Sequence, residues 1–179
     1  MLNSLFATNI YWHTATKFDS HRVTANTPEN LHVSKVLATD YASPRTTSQQ
    51  DCRCILTHLD LAALSDYIHT HVDAYYPSSA PSIKLTRSWF NVCNTGDGQI
   101  WHSHARAIVS GTLYITVPDG SIEFRSPNPY TRHQEWPYAP TAIRTPSPGD
   151  VVLWPSWLEH RVHANTSPSE RISLSFDFA

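Results

Sequence analysis

Hydrophobic and polar residues follow two different patterns along this chain, and the change falls near residue 82. Between residues 59 and 75, apolar side chains recur at steps of three and four, which places them on one face of an α-helix. Thr57 and Asp60 have the spacing of a capping box, and the residue before Pro77 disfavours the helical conformation. The pattern therefore predicts a helix that begins near Thr57 and ends at Tyr76.

After residue 82 the chain consists of short runs rich in β-branched and aromatic residues, separated by clusters of Gly, Pro, Asn and Asp. No helical pattern lies between these runs, so we expect an antiparallel sandwich or jelly roll with the helix packed on an outer face. The predicted strands are residues 83–93, 99–104, 107–117, 121–124, 142–145, 150–154, 158–164 and 171–178.

The first part of the chain gives a weaker signal. Residues 2–12 alternate loosely and could form an edge strand, whereas residues 13–50 are polar and are interpreted as irregular structure wrapped on the core. We expect one domain over residues 1–179. Its N-terminal part, residues 1–82, holds the strand, the irregular segment and the helix, and residues 83–179 form a mainly β, cupin-like jelly roll.

Composition narrows the class of protein. Hydrophobic residues make up 40% of the 179 residues and charged residues 16%, which is typical of a globular domain. The formal net charge of −2 shows no basic excess that would mark the whole chain as a nucleic-acid binder, although a local patch stays open. No apolar run is long enough to span a bilayer. The chain shows no signal peptide, and its three cysteines are an odd count without a paired framework, so we expect a cytoplasmic protein.

Histidine, with 11 residues, carries the first candidate chemistry. His102 and His104 flank one residue, so in a strand both imidazoles point to the same face. His160 lies on a later predicted strand that a jelly roll can place beside the first. Any one of these histidines alone is best interpreted as a surface or core residue. Together they favour a facial three-ligand metal site with open positions, which suits non-haem Fe(II) and oxygen.

Arg171 and Ser173 carry the second candidate chemistry. Two residues apart on one strand, they share a face. A fixed guanidinium beside a hydroxyl is suited to two-point recognition of a buried carboxylate. The alternative is a surface arginine paired with Glu170 or Asp177.

Several short stretches carry a resemblance to a known family: residues 5–10, 88–91, 98–104, 110–114, 149–155 and 171–176, with Pro118 and His160. The chain resembles the Fe(II)/2-oxoglutarate-dependent oxygenases, specifically the small group often encoded by phages and marine bacteria. The resemblance implies a double-stranded β-helix, another name for this jelly roll. It also implies Fe(II), 2-oxoglutarate and molecular oxygen as cofactor and cosubstrates. The implied reaction couples decarboxylation of 2-oxoglutarate to succinate with hydroxylation or a related C–H oxidation.

The resemblance also implies roles for individual residues. The usual metal set of the superfamily is H-x-D/E followed by a distant His, so His102 takes the first position, His104 the acidic position and His160 the distal position. Arg171 and Ser173 fall where the superfamily holds the far carboxylate of 2-oxoglutarate. Two further cosubstrate contacts are implied at Asn91 and Tyr114.

His104 departs from the family pattern because it is not a carboxylate. A neutral third ligand leaves one more positive charge on the metal centre. Three histidines are nevertheless a workable set, since thiol dioxygenases of the cupin type use one.

Substrate contacts are less constrained by the sequence. Trp101 and Arg106 flank the metal strand, and Trp157 precedes His160, so these three side chains are candidate substrate walls. We expect a small-molecule or amino-acid-like substrate, with nucleic acid left open. Pairing of N-terminal edge strands between subunits would give an oligomer.

Two other functions compete with this interpretation. One is a cupin-type dioxygenase that uses the same three histidines without 2-oxoglutarate, in which case Arg171 is structural. The other is a jelly-roll binding module without enzymatic activity.

Overall fold

The computed structural model describes residues 8–25, 45–46, 54–57, 61–128 and 141–179. In this part of the chain there are two α-helices, α1 (Lys17–Ala25) and α2 (Ala62–Tyr75), and a 3-10 turn at Ile55–Thr57. The strands are β1 (Tyr11–His13), β2 (Arg45–Thr46), β3 (Leu85–Cys93), β4 (Gln99–His102), β5 (Val109–Thr116), β6 (Ile122–Arg125), β7 (Thr141–Arg144), β8 (Val151–Pro155), β9 (His160–Val162) and β10 (Arg171–Phe178).

The described strands form two antiparallel sheets. The larger has the order β1-β8-β5-β10-β3-β2 and the smaller has the order β4-β9-β6-β7. Neighbouring strands in each sheet are mostly distant in sequence, as expected of a jelly roll. The predicted mainly β fold with a helix outside it is therefore confirmed.

The larger sheet is covered on both faces. On one face, α2 contributes Leu64, Ile68 and Val72 to a core that includes Leu174 and Phe176 of β10. On the other face, Tyr114, Val152 and Trp154 of the larger sheet pack against Ile122 and Phe124 of the smaller sheet. Burial on both faces explains why β5 and β8 read as nearly continuous buried runs.

Strand β10 positions much of the site through its alternation. Its even-numbered residues from Leu174 to Phe178 are apolar and face the helix-side core. Its odd-numbered residues are Arg171, Ser173, Ser175 and Asp177, and all four are at most 9% exposed. Because alternate residues of a strand share a face, these polar side chains point together into the space between the sheets.

The N-terminal segment is more regular than expected. The predicted edge strand exists at β1, which pairs with β8, while residues 1–7 lie outside the described residues. The prediction that residues 13–50 are irregular is wrong over α1. This helix begins with a reciprocal cap, in which Thr16 Oγ1 accepts from the Asp19 backbone N–H and Asp19 Oδ2 accepts from that of Thr16.

The predicted start of α2 is also wrong. The helix begins after Leu61, which makes no side-chain capping hydrogen bond, and Thr57 lies in the preceding 3-10 turn. The Thr57 hydroxyl donates to the Cys54 carbonyl within that turn. The predicted end is confirmed, since α2 stops at Tyr75 and Tyr76 is extended. None of the helices among the described residues has the length and apolar character needed to cross a membrane.

Candidate metal centre

The structure brings three histidines together between the two sheets. His102 ends β4 and lies directly opposite His160 on β9. Strand β4 stops at His102, two residues earlier than predicted, and the His104 backbone N–H instead donates to the Ser156 carbonyl at 2.9 Å. One nitrogen from each imidazole lies within 4.8 Å of the other two. These separations allow all three rings to reach one metal ion.

Hydrogen bonds on the far side of each ring fix the nitrogen that faces the cluster. The Nδ1 atoms of His102 and His160 lie 2.8 Å and 3.0 Å from the carbonyl oxygens of Ile100 and Leu158. A carbonyl can only accept, so each neutral ring carries its proton on Nδ1 and keeps a free lone pair on Nε2. Fixing the tautomer in this way is typical of histidines that bind metals.

Burial keeps the two strand histidines neutral. It lowers the pKa of His160 to about 3, and the neighbouring His102 adds to this effect. Burial likewise lowers the pKa of His102. Because a metal ligand must be unprotonated, both rings are ready to bind a metal at neutral pH. The donor set thus fits a ferrous ion.

His104 differs in its partner. Its Nδ1 lies 2.6 Å from Oδ1 of Asp177, a fully buried carboxylate. Asp177 also accepts a hydrogen bond from Ser110 at 2.6 Å and pairs with Arg87. Burial alone would raise the pKa of Asp177, but the bond from His104, the bond from Ser110 and the charge of Arg87 together lower it. Asp177 is therefore an ionised carboxylate directly behind His104.

Arg171 lies at the opposite end of the same pocket and is 2% exposed. Its guanidinium donates to the His163 carbonyl at 3.0 Å and contacts Cys93 Sγ at 3.3 Å. A side chain on Gly120 would overlap this guanidinium, so the glycine leaves the space that Arg171 occupies. The sequence-based alternative of a surface arginine does not hold, and Asp177 makes its ion pairs with other residues.

The pocket wall between the histidines and Arg171 carries several polar side chains among apolar ones. It includes Ser173, Asn91 and Tyr114, the remaining predicted cosubstrate contacts. Asn91 donates through Nδ2 to Ser175 Oγ at 2.9 Å, whereas its buried Oδ1 has no hydrogen-bond partner among the residues that the structure describes. Burial raises the pKa of Tyr114, so its hydroxyl remains protonated and able to donate. These groups leave hydrogen-bonding capacity that a small polar molecule can use.

The three predicted substrate walls have different positions. Arg106 lines an open groove beside the histidines, in a left-handed conformation with φ of 67°. Trp157 is 58% exposed and lines neither this groove nor the pocket. The assignment of Trp101 is corrected, because it lines neither the pocket nor the groove and packs against Arg125 and Arg161, whose guanidinium carbons lie 4.0 Å and 4.9 Å from its ring centroid. As the neighbour of His102 in a strand, it points to the opposite face.

Sequence reasoning missed two residues of the site. Asp177 shares the inward face of β10 with Arg171, and the signal was available because the residues are six apart in a strand. Trp89 of β3 also lines the pocket, with its ring centroid 5.6 Å from that of His104. It lies two residues before Asn91, on the same strand face.

A jelly roll with three converging imidazoles at one end of a buried pocket and an arginine at the other is the arrangement expected of a metal-dependent enzyme that binds an anionic small molecule. A family model described as "Putative 2OG-Fe(II) oxygenase" matches residues 87–177, slightly more than half of the chain. The protein belongs to this family.

Solved structures with low sequence identity share the fold. The epimerase SnoN from nogalamycin biosynthesis, which depends on alpha ketoglutarate, has a TM-score of 0.67 at 12% identity over 96% of this chain and 78% of its own. HygX from Streptomyces hygroscopicus, with nickel, 2-oxoglutarate and hygromycin B bound, has a TM-score of 0.62 at 11% identity, covering 96% and 83%. A prolyl-4-hydroxylase from Pseudomonas putida has a TM-score of 0.58 at 14% identity, covering 96% and 87%. No curated protein matches the sequence.

Family membership establishes the class of the protein. It is an enzyme, an oxygenase that uses Fe(II), 2-oxoglutarate and molecular oxygen. The prediction of the superfamily and of its cofactors is confirmed, and the alternative of a binding module without enzymatic activity is not supported.

Proposed function

We propose that this oxygenase couples decarboxylation of 2-oxoglutarate to succinate with hydroxylation, or a related C–H oxidation, of a small-molecule or amino-acid-like substrate. In this proposal His102, His104 and His160 hold the iron. The observation that carries it is the convergence of three imidazole nitrogens within 4.8 Å, with the Nδ1 atom of each ring hydrogen-bonded on its far side. Iron bound there supplies the oxygen-activating chemistry.

The cosubstrate is assigned to the pocket between the histidines and Arg171. The Arg171 guanidinium and the Ser173 hydroxyl would hold the carboxylate of 2-oxoglutarate that is far from the metal. Support comes from the 2% exposure of Arg171, because a buried cation needs a counterion. Asn91 and Tyr114 would contact the same molecule from the wall, where each has a polar group facing the pocket.

The primary substrate is assigned to the groove beside the histidines, where Arg106 lies. Its left-handed backbone supports a functional role, since strain of this kind is concentrated at binding and catalytic sites. HygX binds an antibiotic in its own structure, which makes a small molecule a reasonable class to test first. Trp157 remains a candidate for the rim, and a single domain over residues 1–179 and a cytoplasmic location remain predictions.

The proposal is tested by screening a library of small molecules and amino acids with anaerobically loaded Fe(II) protein and scoring succinate release. We expect one or more compounds to raise succinate formation in proportion to an oxidised product. The matched control is His102→Ala, which should abolish the response. Succinate formation that is equal in the two proteins would overturn the assignment of this site.

Three histidines are also the ligand set of cupin-type dioxygenases that work without 2-oxoglutarate, an alternative that family membership argues against. The two functions separate in one measurement of substrate-dependent oxygen consumption with and without 2-oxoglutarate. Dependence on 2-oxoglutarate supports the first proposal. An identical rate in its absence supports the second and makes Arg171 structural.

A further inference from the structure

A metal ion held by three neutral imidazoles keeps its full double charge. Burying such a charge is costly unless a negative group lies nearby. His160 is 3% exposed, and the His104 side chain is 9% exposed, so water compensates little of the charge on that side of the cluster. The three proposed ligands therefore leave the positive charge of the metal ion uncompensated.

Asp177 is a negatively charged group close enough to compensate this charge. Its side chain is completely buried, and Oδ1 lies 2.6 Å from Nδ1 of His104, on the far side of the ring from the cluster. Ser110 holds the same oxygen at 2.6 Å, and its hydroxyl also lies 2.9 Å from that of Ser156. These bonds fix the carboxylate in one position behind the imidazole.

Orientation alone does not explain a carboxylate at this position. His102 and His160 are oriented by neutral carbonyl groups, which are sufficient to fix the tautomer. A fully buried carboxylate costs more desolvation free energy than a carbonyl does. Arg87 offsets part of that cost, but its side chain is 47% exposed, so solvent screens its charge more than that of Asp177.

We propose that Asp177 is a positioning residue that acts through His104 to supply the negative charge of the metal centre. The hydrogen bond to the carboxylate directs electron density into the imidazole, so the negative charge reaches the metal through the His104 ring. This inference rests on the proposed metal site. It assigns to a residue outside the ligand set the charge that a carboxylate ligand would otherwise bring.

The first test compares Co(II) and Fe(II) affinity, measured by anaerobic titration, in the wild type and in Asp177→Asn. The amide oxygen can still accept from His104, so this change removes the charge while keeping an acceptor. We expect affinity to fall by about 10- to 100-fold. Equal affinity in the two proteins would overturn the inference. A wild type that binds neither metal would instead overturn the proposed function.

Glu123→Gln is the matched control for this measurement. Glu123 is 4% exposed and hydrogen-bonds a histidine, His163, at 2.7 Å and an arginine, Arg161, at 2.6 Å. It lies on the outer face of the smaller sheet, because it neighbours the inward-facing Phe124 in β6. We expect its metal affinity to equal that of the wild type within about twofold. An equal loss in both variants would show a general effect on folding and contradict the inference.

The second test uses the sign of an electrostatic effect. A negative group stabilises Fe(III) more than Fe(II), so Asp177→Asn should raise the Fe(III)/Fe(II) potential. Arg87→Ala removes a positive charge next to the same carboxylate and should lower the potential. Shifts of the same sign in both variants would overturn the inference. If Asp177→Asn does not fold, the test rests on Arg87→Ala. An unchanged or raised Fe(III)/Fe(II) potential in this variant would contradict the proposed electrostatic role of Asp177.

Discussion

In the described part of the chain, two buried carboxylates each pair with one histidine and one arginine, and they lie in two different regions. Asp177 pairs with His104 and Arg87 between the sheets, whereas Glu123 pairs with His163 and Arg161 on the outer face of the smaller sheet. The carboxylate–histidine distances are nearly the same, 2.6 Å and 2.7 Å. We call these groups the inner cluster and the outer cluster.

The two clusters differ in the histidine nitrogen that is not bonded to the carboxylate. In the inner cluster the carboxylate binds Nδ1, so Nε2 of His104 is left to face His102 and His160. In the outer cluster the carboxylate binds Nε2 of His163, whose side chain is 36% exposed. The pKa of each carboxyl group is lowered, so titration does not distinguish them. The comparison teaches that a carboxylate–histidine pair is a candidate metal site only where further ligands converge.

The largest expected difference is in metal binding. His160→Ala removes one of the three convergent imidazoles and should weaken Fe(II) or Co(II) binding by more than about 100-fold, beyond the usual effect of losing a partner outside the ligand set. His163→Ala removes the histidine of the outer cluster and should leave binding unchanged. Equilibrium dialysis with metal analysis measures both. Equal stoichiometry in the two variants would contradict the proposed site.

The next difference concerns the arginines. Arg171→Ala should leave the far carboxylate of 2-oxoglutarate unpaired in a buried pocket, at a cost of about 2–5 kcal/mol or roughly 30-fold or more in affinity. Arg161→Ala removes a partly exposed arginine of the outer cluster and should not change this affinity. The measurement is 2-oxoglutarate titration of the Co(II)-loaded protein. Unchanged affinity in Arg171→Ala would show that the cosubstrate assignment is wrong.

The sequence predicted the fold well because strand alternation and turn residues are local signals. All eight strands predicted after residue 82 exist, with shifts of a few residues at their ends. The grouping of His102, His104 and His160 was also predicted, although His104 lies beyond the end of β4 and does not reach the cluster by the strand alternation on which the prediction relied.

Other features escaped for physical reasons. Trp101 was assigned to the substrate by its closeness in sequence to the histidines, although alternation in the same strand already turns it outward. Helix α1 escaped because its core contribution is a single buried residue, Val23, so it lacks an apolar stripe. The contact of Asp177 with His104 joins residues 73 apart in sequence, and local patterns carry no information about such pairs.

The two clusters should also differ in stability. Asp177→Ala leaves the largely buried His104 ring without its acceptor and leaves Ser110 with only the Ser156 hydroxyl, and we expect a loss of about 3 kcal/mol in the free energy of unfolding. Glu123→Ala leaves partners that are 41% and 36% exposed and can bind water, so a loss of about 1 kcal/mol is expected. Urea unfolding of the metal-free proteins measures both. Equal losses of unfolding free energy in the two variants would mean that the solvent exposure of the partner side chains does not determine the cost of removing the carboxylate.

A further comparison concerns a buried histidine outside both clusters. His71 lies against Tyr67 and His13, and in the described part of the chain its Nδ1 contacts only the Tyr11 hydroxyl, at 3.0 Å. Burial, with the neighbouring His13, lowers the pKa of His71 to about 4. The ordinary value of about 6.5 applies in the unfolded chain, so between pH 6.5 and 4 the unfolded state binds more protons.

Stability should therefore fall as the pH decreases through this window, by up to about 1.4 kcal/mol per pH unit from this one group. His71→Gln removes the titrating ring and should flatten the slope by that amount relative to the wild type. Tyr11→Phe removes the hydroxyl partner but keeps the imidazole, so its slope should remain. Urea unfolding at several pH values between 4 and 7 gives the slopes. Parallel curves for the wild type and His71→Gln would show that a histidine without a carboxylate partner does not set the acid sensitivity of this fold.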